Sequence, residues 1–281
     1  MSGAPKLAQP KSWLMDVNTE TNTPVDGSCI GVTERMEAEE ILHLATDLGF
    51  QHVCQKSGHL FDKEVASANL MIDSPDSYLQ YPIASILTPN DLSTASERAL
   101  IAVEEHFDSS SQKRQVLDSV INAMQSKGLS QTMIDEVVGV ADELFTNAIF
   151  NAPFVDINTH KNPGVSRNGK DIKLNGGKFG RLLLAHDETR LVVGCMDPYG
   201  SLDLRRYLNK IKATFTRGPA ATMNFGPGGA GIGSYIIFHA GSSLYFGVWP
   251  GRATVLCCIL PLGLSNRKRM QLPKHLHWIQ R

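Results

Sequence analysis

Glu143, Asn147 and Asn151 stand four residues apart in the stretch from Ile134 to Asn151. A carboxylate and two amides at that spacing can handle a proton and hold a polar ligand. On a helix turning roughly 100° per residue the spacing drifts by about 40° per step, so the three side chains form one ridge. Asp197 follows directly on the apolar run that ends Cys195-Met196. A carboxylate at a strand end can accept a hydrogen bond from an exocyclic amine such as adenine's. Further on, Gly226-Pro227-Gly228-Gly229-Ala230-Gly231-Ile232-Gly233 runs straight into a helical stretch. Backbone without side chains can approach an anion closely, and the free N–H groups of a helix start point at it. The segment is not a Walker loop, because Ser234 and Tyr235 stand where Lys and Ser/Thr are needed. Nor is it a Rossmann fingerprint, since residues 217–225 are polar and irregular rather than a strand. Taken one at a time, each feature has a plain structural explanation: two core asparagines, an Asp-Pro turn, a glycine linker.

The elements that must position these groups follow from periodicity. Val137, Val140, Ala141, Leu144, Phe145 and Ala148 recur at helical spacing, and Ser130 supplies the N-cap of their helix. Residues 181–185 and 190–196 are two apolar strands joined by the turn His186-Asp187-Glu188-Thr189, and residues 243–248 and 253–260 form a second hairpin. Helices are expected over 112–127, 202–215 and 231–239, and residues 153–180 read as an exposed insertion. Upstream, strands are expected at 29–32, 51–54, 69–72 and 83–87, and helices at 36–48 and 91–107, the last capped by Asn90. Residues 1–26 read as a loose arm, Ser109-Ser110-Ser111 as a boundary, and 265–281 as a basic solvated tail.

The 281 residues, 42% hydrophobic and 20% charged, describe an ordinary globular chain long enough for about two cores. A net charge of −1 offers no global field for nucleic acid or membrane. The five cysteines lack metal-ligand spacing and sit in apolar runs, Cys257 and Cys258 on opposite faces of one strand. That usage, with no apolar run approaching a membrane span, points to reduced thiols and a cytoplasmic protein.

In order along the chain, the chemistry-bearing segments resemble the GHKL ATPase superfamily of gyrase, heat-shock chaperone, histidine kinase and MutL. Glu143-Leu144-Phe145-Thr146-Asn147-Ala148 looks like its N box, Asp197-Pro198-Tyr199-Gly200 like its G1 box and Gly229-Ala230-Gly231-Ile232-Gly233 like its G2 box. Thr254 matches the hydroxyl that backs the adenine-binding Asp. Within the superfamily the Glu-x-x-x-Asn-Ala box is most similar to the anti-sigma-factor serine kinases. The G1 box departs from the usual Asp-x-Gly-x-Gly, with Tyr199 and Ser201 in the glycine positions. The upstream order faintly resembles a receiver domain with Asp73 as phosphoacceptor. It lacks the acidic pair after the first strand and the later lysine, which makes it a degenerate one. The fold class expected is therefore α/β: a small receiver-like unit over 27–108, then a GHKL-type α/β sandwich over 109–264.

The resemblance implies ATP and Mg2+ as cofactors, with roles for single residues. Asn147 would ligate the magnesium, beside Asn151, and Glu143 would serve as base for the attacking hydroxyl. Asp197, Gly200 and Thr254 would hold adenine, and Gly228, Gly229, Gly231 and Gly233 the phosphates. Lys210, Lys212 and Arg217 fall in the segment that forms the family's lid. The implied partner is a regulatory protein, a sigma factor or an anti-anti-sigma-like protein, with a homodimer also allowed. The rival expectation is a non-catalytic nucleotide-binding interaction module.

Overall fold

The strands over 180–186, 190–197, 243–249 and 253–261 are near-continuous apolar runs because both faces of the sheet are covered there. The computed structural model describes residues 13–17, 29–35, 37–56, 60–154, 171–218, 233–269 and 271–281. Its first part holds β1 (Trp13–Asp16), β2 (Cys29–Thr33), α1 (Ala38–Thr46) and β3 (His52–Gln55). Four helices follow, α2 (Phe61–Asp73), α3 (Pro75–Gln80), α4 (Pro82–Leu87) and α5 (Thr94–Leu100), and then β4 (Ile101–Phe107). Next come α6 (Lys113–Ser126), α7 (Gln131–Thr146), β5 (Gly180–His186), β6 (Arg190–Asp197) and α8 (Leu204–Arg217). The chain closes with α9 (Gly233–Ala240), β7 (Ser243–Trp249), β8 (Ala253–Pro261), α10 (Asn266–Arg269) and β9 (His275–Gln280).

Among the described residues nine strands form one mixed sheet in the order β1-β2-β3-β9-β7-β8-β6-β5-β4. Strands β1, β2 and β3 run parallel, β9 is antiparallel to β3 and parallel to β7, and the rest pair antiparallel. Alternate residues feed different layers. Leu182, Leu184, Val193 and Cys258 join the core under α1, α6, α7, α8 and α9. Leu183, Ala185, Val192 and Cys257 join the core under α2, α3 and α4. Cys257 and Cys258 thus do face opposite ways. The chain is a mixed α/β structure with helices on both sides of a large sheet. Among the described residues no helix is long and apolar enough to cross a membrane.

Three expectations are corrected here. Residues 69–72 lie inside α2 and residues 83–87 inside α4, so neither is a strand, and Asp73 ends a helix rather than a strand. Short apolar runs cannot be told apart as strand or buried helix by periodicity. What makes α4 a helix is supplied from elsewhere. Glu97 of α5 accepts from the N–H groups of Ile83 and Ala84 at its start. At its other end Arg190 donates to the carbonyls of Ile86 and Leu87 at 2.9 Å each, while also holding Asp187. An anion at the first turn and a cation at the last suit the helix dipole. Residues 91–107 divide into α5, capped by Ser93 rather than Asn90, and strand β4.

The third correction concerns the C-terminus. Residues 265–281, expected as a solvated tail, supply β9, which fills the gap between β3 and β7. His275, Leu276 and His277 are each at most 2% exposed. This strand joins β1–β3 to the rest of the sheet, and at its far edge β4 pairs with β5. Residues from both expected units therefore share one hydrogen-bonded layer.

Candidate functional site

Helix α7 is positioned as its pattern requires. The Ser130 hydroxyl accepts from the Met133 N–H, and Val137, Val140, Ala141, Leu144 and Phe145 are buried against the sheet. Phe145 stacks near Phe107 of β4 with ring centroids 4.4 Å apart. Glu143, Asn147 and Asn151 are half-buried along the edge of that apolar face. Residues Asn147–Asn151 continue the helix as a single π turn, closed by the Ala152 N–H on the Asn147 carbonyl. Such turns shift the phase of a helix by a residue and recur at functional sites. Here the Asn151 amide donates to Asn147 Oδ1 at 2.6 Å, leaving that oxygen one further lone pair.

Asp197 ends β6 directly opposite Thr254 of β8, as the strand register dictates. Only 9% of it is exposed, and burial pushes its carboxyl up to about 6. The Tyr199 N–H at 2.9 Å, the Thr254 hydroxyl, the Gly200 N–H and the Lys178 charge pull the other way. The Thr254 hydroxyl acts on the carboxyl without good hydrogen-bond geometry and is otherwise buried and unpaired among the described residues. Gly200 has φ +60°, and a Cβ there would lie 1.8 Å from the Trp249 carbonyl oxygen. This close approach seats the Asp197–Ser201 turn on the β7–β8 hairpin. Ser201, one of the two residues departing from the G1 pattern, donates from its hydroxyl to the Ala152 carbonyl at 2.8 Å. That bond ties the turn to the end of the Asn147–Asn151 segment. Tyr199, the other departure, lies under Lys178, whose Nζ is 4.5 Å from the ring centroid and donates to the Pro198 carbonyl.

The N-terminus of α9 completes the arrangement. A Cβ on Gly233 would fall 1.7 Å from Glu143 Oε1, so the carboxylate rests directly against the helix start. Negative charge is favoured toward the N-terminal end of a helix by its dipole. Tyr207 and Lys210 of α8 also feel this carboxylate. Burial first, and Glu143 second, hold the Tyr207 hydroxyl well above its ordinary value. Burial pulls Lys210 down while Glu143 pushes it back up. The hydroxyls of Tyr207 and Ser234 are buried with no hydrogen-bond partner among the described residues. Orphaned polar atoms cost about 1–3 kcal/mol each unless a ligand or water pairs them.

The sequence-named residues thus fall into three linked groups. Asp197, Gly200 and Thr254 meet at the sheet end, Asn147 and Asn151 bond to each other, and Glu143 meets Gly233. Gly228, Gly229 and Gly231 lie outside the described residues. Of the lid cations, Lys210 reaches the field of Glu143, whereas Lys212 pairs with Asp47 at 2.5 Å and is committed to α1. The open depression bordered by Arg35, Glu40, His43 and Lys212 contains none of these site residues apart from Lys212 itself. Among the described residues no cluster of His, Cys, Asp or Glu is set to hold a metal by itself. Ser201, Tyr207, Lys178 and Lys274 are not legible as site residues from the sequence. Lys274 donates to the carbonyls of Phe238 and His239 at 3.1 Å each, and to Gly241, so it caps the far end of α9. No local spacing announces such a role, because its partners lie 33–36 residues away.

No family model matches the chain, and no curated protein does. Among solved structures it is similar to a chain in the crystal structure of the SiaB-SiaC complex from Pseudomonas aeruginosa. The TM-score is 0.40 at 15% identity, over 59% of this chain and 93% of that one. A likeness of that size leaves the functional reading to the residues themselves.

Proposed function

We propose that this chain is a GHKL-type nucleotide-binding regulator that takes Mg-ATP and acts on a partner protein. The observation that carries the reading is the contact of the Glu143 carboxylate with Gly233. It brings the helix that resembles the N box onto the helix start that resembles the end of the G2 box. The orphaned hydroxyls of Thr254, Tyr207 and Ser234 fit a polar ligand lying along the same edge. In this reading Asp197, backed by Thr254, accepts the exocyclic amine of adenine. The N–H groups at the start of α9, with the glycines before it, hold phosphate oxygens. Asn147 Oδ1 would ligate magnesium, whose charge offsets that of the phosphates. Glu143 accepts the proton of an incoming Ser or Thr hydroxyl of the partner. Lys210, whose charged form Glu143 favours, supplies a counter-charge. The unit formed by β1–β3 and α1 is the regulatory input in this proposal, in the place of the degenerate receiver.

The second reading is a non-catalytic module that binds nucleotide and sequesters its partner. It is favoured by the G1 departures, since Ser201 is committed to Ala152 and Tyr199 to Lys178. Titration calorimetry with Mg-ATP separates the possibilities. The expected result is saturable binding that weakens about tenfold or more in Asn147→Ala. Label transfer from γ-labelled ATP to a co-purified protein, reduced about 10²–10⁴-fold in Glu143→Ala, identifies the kinase. Binding without transfer identifies the module. No binding in the wild-type chain refutes both.

A further inference from the structure

On the other face of the sheet a set of ionisable side chains is sealed beneath α2. Glu64, in the first turn of that helix, is fully buried. Its Oε1 accepts from the Ser243 hydroxyl at 2.8 Å, and its Oε2 from the Tyr245 hydroxyl at 2.6 Å and His277 Nε2 at 3.2 Å. Below it, strand register lays down two rungs. His52, His277 and Tyr245 lie side by side across β3, β9 and β7, and Cys54, His275 and Ser243 form the neighbouring rung. The His277 ring is 5.6 Å from that of His52 and 4.6 Å from that of Tyr245. Both nitrogens of His52, and Nδ1 of His275 and of His277, have no partner among the described residues. A buried charged group with imperfect pairing adds little stability for the desolvation it requires, so such a cluster calls for another explanation.

The apolar seat of α2 is small. Ile30, Val32, Cys54 and Ala68 form a separate cluster with Phe61, Val65 and Ile72 packed against it, and Met71 alone of the buried α2 residues reaches a larger core. Glu64 is therefore the polar pin that fastens α2 to β7 and β9. We propose that Glu64, with His52 and His275 beneath it, forms an acid-operated latch, which releases α2 from the sheet as a local unit when those two imidazoles take up protons. Of the surrounding groups, Glu64 itself favours charge on His275, but burial outweighs it. Tyr245 and Cys54 are held protonated by burial and by Glu64, and Tyr78 of α3 donates to the Tyr245 carbonyl at 3.1 Å. Helix α4 offers a backbone carbonyl, that of Ile86, to Ser67. Lys274 next to His275 is already charged below about pH 8 and adds repulsion when that imidazole protonates. On the outer side of α2, Lys63 pairs with Asp187 at 3.7 Å, clear of the cluster.

The direction follows from proton linkage. Burial holds His52 well below 6.5 and His275 at about 4, so an opened α2 binds up to two more protons than the closed form as pH falls below 6.5. Burial alone would raise Glu64, but His275, His277 and Tyr245 outweigh it and hold the carboxyl at about 2. Its contribution is therefore lost below about 4.5, in the same direction. Native-state hydrogen exchange of the full chain, corrected for intrinsic rates, tests the latch. Between about pH 6 and 4.5 the opening constant of α2 peptides is expected to rise by up to about 100-fold per pH unit, ahead of peptides from β6 and β8. His52→Leu removes no hydrogen bond and should cut that slope to about tenfold per unit. Glu64→Gln should raise the opening constant of α2 about tenfold or more at about pH 7 while β6 and β8 stay protected. Exchange of α2 that tracks β6 and β8 at every pH, or a slope unchanged in His52→Leu, overturns the proposal.

Discussion

Asp197→Asn is expected to stabilise the fold at about pH 7.5 by about 1–3 kcal/mol while weakening nucleotide binding. Burial lifts the Asp197 carboxyl from 3.8 to about 6 in the folded chain. A group whose folded value is raised contributes stability that is present in full below its unfolded value. That stability is lost as pH climbs through the folded value, here between about 4 and 6. Above about pH 6 the fold holds a buried negative charge at a cost on the order of 2–3 kcal/mol. The amide of the Asp197→Asn protein would keep an oxygen for the Tyr199 N–H and carry no charge. Urea denaturation of both proteins at about pH 4 and about pH 7.5 checks this: the gain should be clear at the higher pH and close to nil at the lower. A loss of stability at the higher pH would show that the carboxylate is structurally required. In the proposed function its charge is what the ligand's amine needs, so affinity for Mg-ATP should drop as stability rises. The same charge predicts that wild-type affinity falls as pH drops below about 6.

Gly200→Ala should be among the most damaging single-methyl changes in the chain, costing about 3 kcal/mol or more in chemical denaturation. The new Cβ would meet the Trp249 carbonyl oxygen at 1.8 Å and the Ala253 carbonyl oxygen at 3.0 Å, at a positive φ. Both obstacles are backbone, held by the β7–β8 pairing, so neither can yield cheaply. Gly233→Ala makes the informative contrast. Its Cβ meets the tip of the Glu143 side chain, which can swing aside. Stability should change by less than about 1 kcal/mol, because alanine is also the better helix former. Phosphoryl transfer, where the kinase reading holds, should fall as far as in Glu143→Ala. A Gly233→Ala protein with unaltered transfer would remove Glu143 from the reacting geometry.

The two glycines also mark the limits of what can be read from the chain. Motif position singles out Gly200 and Gly233, but what a side chain would meet there, a backbone carbonyl in one case and a movable carboxylate in the other, comes from segments far away in sequence.

Much of the site-bearing half is legible because its signals are local. The 3.6-residue period of α7, the Ser130 cap, the two hairpins and Asp197 at the end of an apolar strand are written in neighbouring residues. The ridge of Glu143, Asn147 and Asn151 follows from spacing, and the half-burial of all three agrees with it. What depends on distant partners is not legible. Residues 83–87 fold as a helix because Glu97 and Arg190 cap it, and residues 69–72 because Glu64, earlier in the same helix, anchors it to β7 and β9. His275 and His277 fall in the segment that reads as a basic solvated tail, yet they lie in an interior strand opposite Cys54 and His52. Local sequence alone determined which segments between about residues 112 and 260 are helix or strand, and which polar groups stand at their ends, since backbone periodicity and capping act over a few residues. Tertiary structure alone decided that the described strands from both halves share one sheet, with the last strand at its joint. Pairing energy between strands is collected only when segments distant in sequence meet, and no local pattern records that meeting.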